Sequence, residues 1–101
     1  MTLSKNNNSF ELTFHSQERL QEKFSNLNQT QVQDSFVRSK MITMQNVHKY
    51  NPVFRTRLQK KLNFEPNNQI FVNPYYDIVF IVDTVSKQVV TTYNYSDTNI
   101  K

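Results

Sequence analysis

The sequence predicts an α+β domain, an antiparallel sheet of about four strands with two or three helices packed on one side. Three observations carry that expectation. Ile78–Val82 is an unbroken β-branched and aromatic run, followed after a turn-forming segment at Asp83–Ser86 by a second strand-like stretch, Val89–Tyr95, and the two read as a hairpin. Three stretches between residues 17 and 62 space their apolar residues at helical intervals. The order is one strand, two or three helices, then three strands, with no internal repeat.

Taken along the chain, Met1–Asn8 and residues 97–101 read as flexible tails around a single domain, 9–96. Ser9–Phe14 alternates Phe10, Leu12 and Phe14 with polar residues, the pattern of a half-buried strand. Ser16 is the expected cap of a helix from Gln17 to Leu27, in which Leu20, Phe24 and Leu27 fall within an arc of about 60° and His15, Arg19 and Lys23 form a cationic line beside it. Thr30 is the expected cap of a helix from Gln31 to Lys40 that buries Val32, Phe36 and Val37 and places Asp34 and Arg38 at i,i+4. Met41–Tyr50 fits either a helix continuation or a short strand.

Asn51-Pro52 starts a third helix burying Phe54, Leu58 and Leu62, and Glu65-Pro66-Asn67-Asn68 ends it. Ile70–Val72 is a short strand leading into the hairpin. Five apolar residues in a row at Ile78–Val82 call for cover on both faces. In its partner, simple alternation sends Val89, Thr91, Tyr93 and Tyr95 one way and Val90, Thr92 and Asn94 the other. Which of Thr91 and Thr92 faces a site stays open. A row of hydroxyls there is either ordinary strand composition or the floor of a polar site.

Composition excludes several chemistries. The chain has no glycine, so a phosphate-cradling loop and a dinucleotide fingerprint have no residues to build them. It has no cysteine, only His15 and His48, and eight scattered acids, so neither a metal site nor a cofactor is expected. No apolar run approaches the roughly 20 residues of a membrane span, and Met1–Asn8 has no signal-peptide core. The expectation is a soluble, cytoplasmic protein.

Charge is uneven. Between Asp34 and Glu65 the chain has no acid but carries Arg38, Lys40, Lys49, Arg55, Arg57, Lys60 and Lys61. Such a stretch is a solvated surface or a footprint for a polyanion, and the excess over acids favours the second. With Lys23 these residues are the candidate nucleic-acid contacts.

His15 at a strand-to-helix junction, with Arg19 one turn on, has the makings of phosphoryl chemistry, because imidazole moves protons near neutral pH and guanidinium stabilises phosphate charge. It equally fits a histidine beside a cap and an Arg19–Glu22 pair. The pattern His15-Ser-x-Glu-Arg-Leu-x-Glu-Lys-Phe24, with Asp77-Ile-Val-Phe-Ile-Val-Asp83 and Val89-Val-Thr-Thr-Tyr93, resembles small metal-independent ribonucleases of the barnase, EndoU, colicin and RelE fold group. The match covers about 35 of the 101 residues. It implies attack of a 2′-hydroxyl on the adjacent phosphate, with His15 as base or acid, Arg19 as phosphate clamp, and Thr91 and Tyr93 as hydroxyls lining the site. Lys23 where the group has arginine weakens bidentate phosphate binding.

The implied partners are RNA (tRNA or mRNA) or a nucleoprotein complex, with an antitoxin or host protein. A second reading is a phage or mobile-element protein that binds a host complex without chemistry, with Tyr75, Tyr76, Tyr93 and Tyr95 as anchors. A plain RNA-binding regulator is a third.

Overall fold

The computed structural model describes residues 1–50 and 52–96, with Val53, Phe54, Lys61, Leu62 and Phe64 given by backbone alone. Six strands, β1 (Thr2–Lys5), β2 (Asn8–Leu12), β3 (Lys40–Ile42), β4 (Asn68–Asn73), β5 (Ile78–Asp83) and β6 (Gln88–Asn94), form one sheet in the order β1-β2-β6-β5-β4-β3. Three helices, α1 (Phe14–Lys23), α2 (Gln29–Val37) and α3 (Pro52–Phe64), and a 3₁₀ turn at Val47–Lys49 complete the fold. The α+β class and the β5–β6 hairpin match the sequence expectation.

The sheet is larger than expected and mixed. Leu12 pairs with Val89 in a parallel β2–β6 ladder, while the other neighbours are antiparallel. The supposed amino-terminal tail supplies β1. Asn6 and Asn7 both adopt positive φ and close a two-residue hairpin, and Leu3 is fully buried. Residues 97–101 and Asn51, the expected cap of α3, lie outside the described residues, as do the side chains of Phe54 and Leu62.

Helix boundaries follow the best available caps. Thr13, not Ser16, caps α1 by accepting the Ser16 N–H at 3.1 Å, and its hydroxyl lies 3.1 Å from the Val89 carbonyl. Asn28, not Thr30, caps α2, because Asn28 and Gln31 satisfy each other's backbone N–H groups. Lys40 and Met41 belong to β3, since α2 ends at Val37.

The helices do not share one side. Phe24, Val32 and Phe36 pack with Phe10, Phe71, Ile78, Phe80, Val82 and Val89 in a first core. Leu58 of α3 and Val47 of the 3₁₀ turn pack with Ile42, Ile70, Val72, Val79 and Ile81 in a second. Alternate residues of β5 enter opposite cores, so its continuous apolar run requires cover above and below.

The first face is concave. Phe36 meets Phe10, Phe71 and Phe80 edge-on, with centroids 5.9, 5.4 and 5.0 Å away. In a flat sheet β1 and β4 would stand about 19 Å apart. Here Lys5 Nζ lies 5.8 Å from the Phe71 ring centre and donates to the Val37 and Ser39 carbonyls at 2.7 and 2.8 Å, which ties β1 to the end of α2.

Candidate nucleic-acid interface

A bulge in β6 decides which side chains meet. Ile81 pairs with Thr91 but Val82 pairs with Val89, so Val90 is the extra residue. Val89 therefore faces the first core, and Val90 packs against the second. Beyond the bulge, Thr91 stands opposite Ile81 and Tyr93 opposite Val79, both members of the second core; Thr92 stands opposite Phe80 of the first. Thr92 is 0% exposed and Thr91 half-buried, so of the two only Thr91 reaches a surface.

His15 and Arg19 ride on α1, whose Leu20 packs against the first core while Phe24, just past its end, is part of it. His15 is exposed, and Arg19 Nη1 lies 3.8 Å from Glu22 Oε2. Among the described residues no hydrogen bond or ion pair links His15 or Arg19 to Thr91 or Tyr93. Helix α1, which carries His15 and Arg19, packs on the first core, whereas Thr91 and Tyr93 stand on the side of the second. Lys23, exposed at the end of α1, goes with the first face.

The face roofed by α3 gathers most of the remaining cations. The Thr43–Asn46 turn, closed by Asn46 Oδ1 accepting the Thr43 N–H at 2.8 Å, sets the 3₁₀ turn on the sheet, and Val47 anchors it. His48 and Lys49 are left outside. Arg55 Nη1 donates to the His48 carbonyl at 3.4 Å, joining α3 to that turn. Arg57 and Lys60 are exposed on α3. Lys40 pairs with Val72 of the second core and so projects to the same side from the sheet edge. The Lys61 side chain lies outside the described residues. Residues 35–64 contain no acid, and among the described residues none of Lys40, Lys49, Arg55, Arg57 and Lys60 forms an ion pair.

Tyrosines lie among these cations. Tyr50, Tyr93 and Tyr95 pack against the second core, and the Tyr50 and Tyr95 rings meet edge-on at 6.4 Å. Burial pushes the Tyr93 phenol above its ordinary range, and the nearby Arg57 charge pulls it weakly down. Burial likewise raises Tyr50, with Tyr95 adding to the effect. Tyr50 was not singled out in sequence; only its place in the fold, 45 residues before Tyr95, brings the pair together.

Arg38 stands apart from this face. Its Nε donates to Asp34 Oδ1 at 2.9 Å, and the Tyr76 hydroxyl donates to Asp34 Oδ2 at 2.9 Å. The i,i+4 spacing foretold the ion pair; Tyr76, 42 residues away, has no local signal. Among the described residues no group of three or more acids or histidines comes together, and no helix is long and apolar enough to cross a membrane.

Comparison with protein families, with curated proteins and with solved structures gives no match. The functional reading rests on these surfaces.

Proposed function

We propose that this protein binds single-stranded RNA on the face formed by β3, the 3₁₀ turn, α3 and β6, and that it does so without cleaving it. The observation that carries the reading is the meeting of Lys40, Lys49, Arg55, Arg57 and Lys60 with Tyr50, Tyr93 and Tyr95 on one side of the sheet. Cations that follow a phosphate backbone, interleaved with aromatic rings, are the chemistry of single-strand binding. The separation of His15 and Arg19 from Thr91 and Tyr93 favours binding over the ribonuclease reading, because a proton-transfer pair must converge on one phosphate.

The test is fluorescence anisotropy of a labelled RNA strand over a salt series, with RNA integrity followed in a chelator. Arg57→Gln and Lys60→Gln should each weaken binding and lower the salt slope by about 0.7, while His15→Ala and Arg19→Ala bind as the parent does. Cleavage by the parent that is lost in His15→Ala overturns the proposal and returns the ribonuclease.

A further inference from the structure

We infer that Tyr75 and Arg38 form a second, discrete nucleotide subsite, in which the Tyr75 ring takes an unpaired base and the Arg38 guanidinium the adjoining phosphate. This inference rests on the nucleic-acid reading above and extends it to a surface the α3 cations do not reach.

The subsite is held by contacts from three elements. Asn73, buried at the end of β4, donates to the Ser35 carbonyl of α2 at 3.0 Å and accepts the Tyr76 N–H at 3.2 Å. Tyr76 and Arg38 occupy one Asp34 oxygen each. Each Asp34 oxygen thus has a partner, and the ion pair holds the guanidinium at its Nε edge. The two Nη nitrogens have no hydrogen-bond partner among the described residues, and they are the pair that grips a phosphate bidentately. The same bonds hold Asp34 below the ordinary carboxylate range, with the Arg38 hydrogen bond the largest cause, so the group beside the phosphate stays a fixed partner of the arginine.

Tyr75 is 89% exposed and belongs to neither core, so its ring is available to a partner. It is not loose decoration. Its ring meets that of Tyr76 in a T-shaped pair, with centroids 5.1 Å apart and planes at 86°, and shares the lining of one hollow with Arg38. Asp34, Arg38, Asn73, Tyr75 and Tyr76 line an open hollow of about 480 Å³, within the size range of small-ligand sites. An exposed aromatic face next to a guanidinium matches a base joined to its phosphate.

The subsite also connects with the larger face. Asp77, in the same turn as Tyr75, accepts the Tyr95 N–H on its carbonyl at 3.1 Å and the Ser96 N–H and hydroxyl on its carboxylate at 2.6 and 2.8 Å. The turn is thereby pinned to the end of β6, where Tyr95 meets Tyr50. A strand crossing the α3 face reaches Tyr75 by passing over this end of the sheet.

The experiment measures the affinity of a labelled single-stranded RNA, and of the same strand with abasic sites, for parent, Tyr75→Ala, Tyr75→Phe, Arg38→Lys and Arg57→Gln. Tyr75→Ala should bind the normal strand roughly five- to hundredfold more weakly, Tyr75→Phe as the parent does, and the Tyr75→Ala loss should vanish on the abasic strand. Arg38→Lys keeps the charge but not the fork, and should weaken both strands. Thermal melting of Tyr75→Ala should equal that of the parent. If Tyr75→Ala and Arg38→Lys bind normally while Arg57→Gln is weakened, the subsite is overturned and the α3 interface stands. If the parent binds neither strand, both fall.

Discussion

Thr92 stands opposite Phe80 in the β5–β6 ladder, and its Oγ1 is sealed in the concave core without a hydrogen-bond partner. A buried hydroxyl with no partner keeps its desolvation cost and returns nothing. Thr92→Val, which replaces that hydroxyl with a methyl of similar shape, should raise stability by about 1 kcal/mol. Urea denaturation measures it, and an unchanged or lower midpoint would mean that the hydroxyl has a partner in solution.

Leu3 tests whether residues 2–5 are part of the sheet or a tail. Leu3→Ala empties a fully buried site opposite Phe10 and should cost about 2–5 kcal/mol. A frayed tail would show no change in the same denaturation curve.

Tyr93 makes the second core sensitive to alkali. Its folded pKa lies above the unfolded value of about 10, so its contribution is complete below that pH and is lost as pH rises through the folded pKa. Tyr50 and Tyr76 are raised too, so the late-titrating tyrosinate absorbance should shrink by one tyrosine's worth in Tyr93→Phe. Arg57→Gln should move the Tyr93 step still higher, because the guanidinium favours the phenolate. A step unmoved by Arg57→Gln would place the two side chains apart.

Asp34 acts at the other end of the pH scale. Arg38 and Tyr76 lower its folded pKa, so the unfolded chain binds its proton first and stability falls as pH drops from the ordinary carboxylate value of about 3.9 through the lowered one. The group is solvent-accessible, so the effect should be small. Asp34→Asn should flatten the acid limb of stability against pH in this window. An acid limb identical to the parent's would remove Asp34 from that role.

The parts of the fold legible in sequence are those written in local chemistry. Ile78–Val82 announces a central strand, and its unbroken run already demands cover on both faces, which α1, α2 and α3 provide between them. Asn6-Asn7 is also a local signal, two adjacent residues tolerant of positive φ, but polar neighbours disguise it as a tail. The candidate site depends on non-local geometry. Strict alternation put Val89 on the side of Thr91, and a single extra residue, Val90, reverses that assignment without altering the composition of the strand. The parallel contact of Leu12 with Val89 and the Tyr76–Asp34 bond join distant parts of the chain, and no window of sequence contains either.

The Leu12–Val89 contact also governs synthesis. The β1–β2 hairpin pairs edge to edge with β6, far along the chain, so during synthesis its packing on α2 is all that holds it until residues 88 and 89 have emerged. Translation halted before that point leaves the β2 edge unpaired, a surface for a chaperone to cover.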